Sequence, residues 1–160
     1  MYELGRLAVC LALCCTVFSV GASIVGGLRR RRDVVRAGEH AALAGFGLIV
    51  VAVGILIRAL LAHDFSLEYV AAYSSSSLPV YYTLAALWGG QKGSLLFWSF
   101  MLTFFSSIVL VQNRDRNRAL MPWVTATLMT VASFFISLAT FIADPFEKLP
   151  IPALEGQDLN

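Results

Sequence analysis

Four long stretches of this sequence are almost free of charge, and they limit its possible folds more than any other feature. They cover residues 7–28, 41–62, 93–111 and 119–143, and Arg58 is the one charged residue within them. An α-helix rises about 1.5 Å per residue, so about 20 residues cross the ~30 Å hydrocarbon core of a bilayer. Every backbone N–H and C=O in that core must be paired internally, which favours helix. The sequence therefore predicts a single all-α integral membrane bundle with four transmembrane helices.

The composition excludes two broad classes of protein. Of the 160 residues, 58% are hydrophobic and 14% are charged, whereas a soluble domain has roughly 25% charged residues. So few charges cannot cover a surface that faces water on all sides. The net charge of +2 is also too small to suggest nucleic acid as a partner. Lipid is therefore the main solvent that we expect around this chain.

The basic residues lie mostly at one set of ends of the predicted spans. Segment 29–40 contains five arginines and segment 112–118 contains three, whereas the other ends contain four basic residues in total. Because Lys and Arg are enriched on the cytoplasmic side, we expect both termini, the connection 63–92 (the connector) and the tail 144–160 to lie outside. The arginine clusters are interpreted as topology anchors, and recognition of lipid headgroups is the alternative.

A stripe of small and hydroxyl side chains runs along the fourth span. Small residues at helical spacing allow helices to approach closely in lipid. We therefore predict that this stripe is a helix–helix contact face. Its members are Ala126, Thr130, Ser133, Ser137 and Thr140.

The thiol and imidazole side chains do not form a recognisable catalytic or metal-binding set. Cys10, Cys14 and Cys15 lie inside the first apolar stretch, where buried thiols usually act as small apolar packing groups. His40 and His63 lie at opposite ends of the second stretch, which separates them by ~30 Å in a helix. We therefore predict no catalytic residue and no metal site within the chain.

The connector is unusually rich in aromatic and apolar residues for a link of its length. Ser77 followed by Leu78-Pro79 predicts a helix start, with the hydroxyl capping the helix and proline in its first turn. The helix would reach about Trp88, which is too short to cross a membrane. Its aromatic content is typical of a surface that lies flat at the lipid–water boundary. We therefore predict an interfacial helix within the outer connection.

The junction between the connector and the third span combines three glycines with two tryptophans. Glycines allow a tight turn and the close approach of another surface or a flat ligand, and tryptophan rings can pack on a planar molecule. Ser94 is placed to cap the third span. An interfacial aromatic belt around a re-entry turn is the simpler interpretation and is favoured by physical chemistry alone. The candidate binding residues at this junction are Trp88, Gly89, Gly93, Ser94 and Trp98.

Four motifs follow one another through the connector, its junction with the third span and the tail. They are Asp-Phe-Ser-Leu-Glu-Tyr-Val-Ala at 64–71, Leu-Pro-Val-Tyr-Tyr at 78–82, Trp-Gly-x-x-x-Gly-Ser-Leu-Leu-x-Trp at 88–98, and the tail 144–160. In this order they resemble the N-terminal region of CcmF, the membrane subunit of the bacterial cytochrome c haem lyase. At one point the family usually has His-Glu where this chain has Gln91-Lys92, which suggests a solvated turn at that position.

The resemblance implies a role in cytochrome c maturation at the periplasmic face of the bacterial inner membrane. CcmF-like proteins take haem from the chaperone CcmE and help to attach it to apocytochrome c, together with CcmH-type subunits. The family's tryptophan-rich segment and haem-ligating histidines would follow residue 160, so the chain looks like the N-terminal part of a longer or split protein. The resemblance thus implies haem in the full complex, with none held by this segment alone and no enzymatic activity assigned to it.

Two further interpretations follow from the same sequence. Arg58 can extend its side chain to the headgroups, or it can pair with Asp64 or a haem propionate as a candidate haem contact. The alternative function is a non-haem scaffold subunit of a membrane transporter or redox complex. Transporters tend to carry mid-membrane charges or broken helices, and these four stretches have neither.

Overall fold

The described residues form six helices, and four of them are long and apolar enough to cross a membrane. The computed structural model describes residues 2–113, 116–150 and 155–156. No strand occurs among these residues, which confirms the predicted all-α class with four candidate transmembrane helices. The helices are α1 (Tyr2–Leu28), α2 (Arg32–Leu61), α3 (Glu68–Tyr73), α4 (Val80–Gly89), α5 (Gln91–Gln112) and α6 (Met121–Phe141).

The four long helices form a closed bundle. Helix α1 packs against α2 and α6, and α5 packs against α2 and α6 on the opposite side. The outward faces keep large apolar side chains exposed, such as Phe18, Phe105 and Phe134. Apolar residues facing outward are what a lipid-embedded bundle requires, because lipid tails solvate them as well as a protein core does.

The helices extend past the charge-free stretches at several ends. Helix α2 begins at Arg32, well before the predicted start at residue 41, and α1 begins at Tyr2 rather than residue 7. Helical hydrogen bonding does not stop at the hydrocarbon boundary, and long basic side chains can remain helical while their charges reach the headgroups. The apolar pattern thus marks the lipid-crossing part of each helix better than it marks the ends.

Small residues bring α1 and α2 into the closest contact in the bundle. The Ser19 hydroxyl donates a 2.7 Å hydrogen bond to the carbonyl oxygen of Gly38 across this interface. A Cβ placed on Gly45 would lie 3.3 Å from Thr16 Cγ2, so the helix backbones are already close there. Small side chains allow this approach, and the approach permits hydrogen bonds between helices in lipid.

The sequence-based prediction of which α6 face contacts the other helices was wrong. Of the stripe of small and hydroxyl residues, Ala126 is buried, whereas Thr130 is exposed and the others are partly exposed. The hydroxyls of Thr130 and Thr140 donate to carbonyls of the same helix, at 2.8 Å and 2.7 Å. A hydroxyl that bonds to its own helix needs no neighbouring helix. The buried face of α6 lies about one position away and includes Thr125, Met129, Ala132, Ile136 and Ala139.

The connector forms two short helices, α3 and α4, where the sequence predicted one. Pro79 is the residue that precedes α4, and no side chain caps that helix, so the predicted Ser77 cap was wrong. The Ser77 hydroxyl lies 3.1 Å from the Ser75 hydroxyl instead. Turns at residues 62–63 and 65–66 connect α2 to α3 and return the chain across the end of the bundle.

Candidate functional site at the connector end of the bundle

The connector and the tail cover one end of the bundle, which we call the connector end. Helix α4 stops at Gly89 and α5 starts at Gln91, so Gly90 alone separates them. The backbone of Gly90 is extended, with φ −118° and ψ 160°. This single-residue break positions the predicted junction residues on both sides of one sharp turn.

Tyr69 of α3 anchors this turn. Its buried hydroxyl donates a 2.6 Å hydrogen bond to the carbonyl oxygen of Ala86 and accepts a 3.2 Å bond from the Gly90 N–H. Both backbone groups belong to helix termini, which have no partner within the helix. Burial raises the pKa of Tyr69 to about 12, so the hydroxyl keeps its proton and can continue to donate.

The glycines at the turn accommodate tyrosines of the same chain. A Cβ on Gly93 would overlap the Tyr69 hydroxyl and the Leu87 carbonyl oxygen, and a Cβ on Gly90 would overlap the Tyr73 ring. The space beside these glycines is therefore filled from within the chain. The sequence correctly indicated a close approach at Gly93, but the approaching group is a connector tyrosine. Gly89, by contrast, is exposed.

The two tryptophans of the junction are both about half exposed. Trp88 has 53% of its surface accessible and Trp98 has 56%. The Trp88 ring packs on Phe97, with the ring centroids 5.7 Å apart. From Phe97 a series of ring contacts continues along α5 through Phe100 to Phe104, at 6.5 Å and 6.0 Å. The arrangement offers exposed aromatic faces on a packed support.

Ser94 lies inside the first turn of α5, so its predicted role as the helix cap was wrong. Helix α5 begins after Gly90 and has no side-chain cap. The Ser94 hydroxyl donates a 2.7 Å hydrogen bond to the Gly90 carbonyl oxygen. Ser94 therefore fixes the turn from the α5 side, while Tyr69 fixes it from the α3 side.

Lys92 connects three separate parts of the chain. Its ammonium lies 2.6 Å from a carboxylate oxygen of Glu68 in α3 and 2.6 Å from one of Glu147 in the tail. The Lys92 side chain is 25% exposed, so the solvated turn suggested by the sequence was wrong. The hydrogen bond from Lys92 lowers the pKa of Glu147 below its usual value.

The tail is attached to the connector by backbone pairing. Leu67 and Lys148 form an isolated antiparallel bridge. The Glu68 N–H donates to the Glu147 carbonyl and the Leu149 N–H donates to the Ser66 carbonyl, each at 3.0 Å. These bonds satisfy backbone groups that would otherwise be left unpaired at the end of the bundle.

Side chains of the tail reach α1 and the far side of the connector. The ring of Phe146 is buried and packs on Gly5, where an added Cβ would lie 2.6 Å from it. Arg6 pairs with Asp144 at 2.7 Å. The Glu155 carboxylate accepts bonds from the N–H and hydroxyl of Ser76, at 2.9 Å and 2.8 Å. Tail residues 151–154 and 157–160, which carry part of the predicted motif, lie outside the described residues.

The other candidate residues of the connector end are distant in sequence from the turn at Gly90. Arg58 is exposed in the last turn of α2. The Asp64 carboxylate accepts bonds from the N–H and hydroxyl of Ser66, at 3.2 Å and 2.6 Å. His63 has a positive φ of 48°, and its Nδ1 lies 3.3 Å from the Ser74 hydroxyl. Within the described residues, no group of three or more His, Cys, Asp or Glu side chains could hold a metal ion.

Comparison with known proteins gives one consistent result. No family model matches the sequence. The chain is 35% identical over 159 residues to the cytochrome c-type biogenesis protein CcmF of Pseudomonas aeruginosa. The aligned residues are 99% of this chain and 24% of that protein. A solved structure described as the cytochrome c heme lyase CcmF superposes with a TM-score of 0.83 at 28% identity, over 92% of this chain and 25% of the other. This chain is homologous to the CcmF family.

Other relatives of this chain are also named as cytochrome c-type biogenesis proteins. The probable cytochrome c-type biogenesis protein NrfE of Escherichia coli is 38% identical over 118 residues, which are 74% of this chain and 21% of that protein. The resemblance found in the motifs is thereby confirmed. The chain spans about a quarter of the length of the curated relatives that it matches.

Sequence reasoning missed the residues that hold the connector end of this CcmF homologue together. Tyr69 is one of many aromatic residues in the connector, and Lys92 was interpreted as part of a solvated turn. A lysine beside a glycine-rich turn, with acidic residues in two segments on the same predicted side, was the available signal. It identifies candidate pairs but cannot choose among them without the fold.

Proposed function

We propose that this chain is the membrane-bundle part of a CcmF-type haem lyase that acts in cytochrome c maturation. Homology to CcmF over the full length of the chain is the observation that carries the proposal. In this proposal the connector end faces the periplasm and forms one edge of a haem-handling site. The full protein would assist the attachment of haem to apocytochrome c.

The exposed tryptophans are the residues most suited to contact haem. A porphyrin is a flat apolar ring, and Trp88 presents about half of its surface while Phe97 supports it from behind. Offset stacking and edge contacts between such rings stabilise a complex by about 0.5–1.5 kcal/mol beyond area burial. Gly89, next to Trp88, is exposed. Gly93 accommodates Tyr69 and Ser94 bonds to Gly90, and both contacts support the turn that separates Trp88 from Trp98.

The described residues fit an edge contact with haem better than ligation of its iron. Haem supplies iron-centred redox chemistry and the vinyl groups to which cytochrome cysteines attach. The exposed aromatic faces at the turn provide packing surface rather than ligands. The chain's own contribution is therefore to position and shield one side of the ring. Haem would be held by the full complex.

The orientation and partners belong to the same proposal. The arginine-rich end would face the cytoplasm of a bacterium and both termini would face the periplasm, because Lys and Arg are enriched on the cytoplasmic side of inner-membrane proteins. The partners would be the remaining CcmF segment, the haem chaperone CcmE, CcmH-type subunits and apocytochrome c. Arg58, exposed at the connector end of α2, could reach a haem propionate or the lipid headgroups.

Exposed-aromatic variants test this proposal. We expect Trp88→Ala and Trp98→Ala, assayed in the host with the complete maturation complex, to lower the haem absorbance of the purified complex several-fold. The yield of c-type cytochrome should fall with it. Phe134→Ala is the matched control, because Phe134 is similarly exposed but lies within α6. Equal haem in all three variants would contradict the proposal.

Two further results would separate the alternatives. A lower yield of the assembled complex, with unchanged haem in each complex that still forms, would favour a non-haem scaffold subunit. Labelling of single cysteines near Trp88 from the cytoplasm alone would contradict the proposed orientation. For Arg58, we expect Arg58→Gln to weaken haem retention and Arg58→Lys to preserve it, because only the second keeps the charge. Equal haem in the wild type and both variants would remove Arg58 from the site.

A further inference from the structure

The end of the bundle opposite the connector contains a cleft lined by arginines from two different connections. The cleft has a volume of about 600 Å³. The cleft is lined from the α1–α2 turn and the start of α2 by Arg30, Arg31, Arg32 and Arg36. Arg118, in the segment before α6, lines it from the other side. Glu39 is the one acidic residue that lines it within the part of the chain that the structure describes. We call this region the arginine cleft.

The arginine cleft lies where three transmembrane helices end or begin. Helix α1 ends at Leu28, α2 begins at Arg32 and α6 begins at Met121. The end of α1 and the start of α6 lie within two residues of the ends of their charge-free stretches, 7–28 and 119–143, so this part of the cleft lies at the boundary between the hydrocarbon core and water. Trp123, which is 46% exposed, also lines the cleft, and exposed tryptophan is typical of the membrane interface.

The cleft is apolar on one side and cationic on the other. Val35, Met121 and Pro122 form its apolar wall. Gly27 brings α1 close to this wall, since a Cβ there would lie 3.1 Å from Pro122 Cβ. A ligand that fills the cleft must therefore be anionic at one end and apolar at the other.

Charge within the arginine cleft is incompletely neutralised. The Arg31 guanidinium lies 2.6 Å from Asp33, while Arg30, Arg32 and Arg36 are exposed and add three positive charges to one rim. Arg30 has a positive φ of 52°, an uncommon conformation for a residue with a side chain. The tight turn thus places consecutive guanidinium groups around one opening. Guanidinium groups bind phosphate oxygens in a bidentate manner.

We propose that the arginine cleft binds one anionic phospholipid, with its headgroup phosphate among the guanidinium groups and its chains along Met121, Pro122 and Trp123. A free phosphate ion offers the guanidinium groups the same phosphate oxygens as the lipid headgroup does. A lipid fits this cleft better than a free ion does, because the cleft has an apolar wall and opens at the membrane boundary. This site is independent of the haem role proposed for the other end.

A lipid site can be distinguished from a topology anchor by exchanging Arg for Lys. Lysine counts equally with arginine in setting orientation, but it lacks the planar fork that binds phosphate in two places. We therefore choose the double variant Arg32→Lys with Arg36→Lys. The matched control is Arg29→Lys with Arg116→Lys, since both of these arginines are exposed and neither lines the cleft.

The test is native mass spectrometry of the purified protein in its complete assembly, after incubation with phosphatidylglycerol or phosphatidylcholine. We expect wild type and the control to retain one phosphatidylglycerol at least about fivefold more than phosphatidylcholine, and the Arg32/Arg36 variant to retain several-fold less phosphatidylglycerol than either of them. Equal retention of both lipids by wild type, or equal retention of phosphatidylglycerol by the two double variants, would overturn the proposal. Inorganic phosphate is the third arm. If phosphate at millimolar concentration displaces the retained lipid completely, or binds while neither lipid does, the site is an ion site and the proposal fails.

Discussion

Charged side chains are arranged differently at the two ends of this bundle. At the connector end, Lys92 pairs with Glu68 and Glu147, and further ion pairs join Arg6 to Asp144 and Lys148 to Glu3. At the arginine end, arginines from two connections converge around one cleft with a single lining acid within the described residues. One end pairs these charges with one another, and the other presents most of its charges outward.

This difference indicates what each end can do. A surface with internally paired charges and satisfied backbone groups is rigid, and its function must come from shape and from its exposed aromatic rings. A surface with concentrated positive charge attracts anionic ligands and lipids. The predictions below ask whether the connector end depends on its internal contacts as strongly as this comparison requires.

The largest effect is expected at Gly93. Gly93→Ala would place a Cβ into the Tyr69 hydroxyl and the Leu87 carbonyl oxygen, and neither backbone nor buried ring can move away easily. We expect the free energy of unfolding to fall by about 2 to 3 kcal/mol, measured by thermal or denaturant unfolding in detergent.

Gly54→Ala is the control for Gly93. A Cβ on Gly54 meets nothing within 4 Å, so alanine should leave stability unchanged or raise it slightly through its higher helix propensity. Equal stability of the two alanine variants would mean that the connector end is loosely packed.

Removing the Tyr69 hydroxyl should have the next largest effect. Tyr69→Phe leaves the Ala86 carbonyl and the Gly90 N–H without this partner in a buried location, which costs about 1 to 2 kcal/mol. Tyr81→Phe is the control, because Tyr81 is exposed. Amide hydrogen exchange at residues 86–90 is the more specific measurement, and it should accelerate in Tyr69→Phe alone.

Lys92 should contribute less because it is partly exposed. Lys92→Gln removes both ion pairs and leaves Glu68 and Glu147 close together with like charges, for a loss of about 1 kcal/mol. Lys92→Arg should recover part of the loss. Lys148→Gln is the comparison, since Lys148 is 52% exposed and lies 3.2 Å from Glu3. If Lys148→Gln destabilised the protein as much as Lys92→Gln, the two ion pairs of Lys92 would contribute no more to stability than one exposed pair.

The sequence predicted the elements that lipid dictates, because charge is excluded from hydrocarbon whatever the tertiary structure. The four spans and the all-α class therefore followed from charge-free stretches alone. The contact face of α6 did not follow, because Thr130 and Thr140 can satisfy their hydroxyls on their own helix and so can lie on either side of it. Helix periodicity identifies a stripe but does not say which stripe faces inward.

The connector end was predictable in composition but not in contacts. The glycines near the turn indicated close approach, and Gly93 does have a close neighbour. That neighbour is Tyr69, which lies far away in the sequence, so only the fold could identify it. The same holds for Lys92, whose partners come from α3 and the tail. Pairings between distant segments depend on how the chain returns across the bundle, and local patterns contain no record of that path.

The smallest expected effect is a dependence of stability on acid pH through Glu147. Its pKa lies below the usual value of 4.5 because Lys92 donates a hydrogen bond to it. A carboxylate with a lowered folded-state pKa contributes stability that is present above 4.5 and is lost as the pH falls through the lower folded value. The unfolding midpoint of the wild type should therefore decrease below about pH 4.5, and Glu147→Gln should remove part of that decrease. Because Glu147 is well exposed, salt should reduce the difference between the two proteins. A difference between them that stays constant from pH 3 to pH 7 would show that the Lys92 contact does not depend on the Glu147 charge, and the contrast between the two ends would then rest on packing alone.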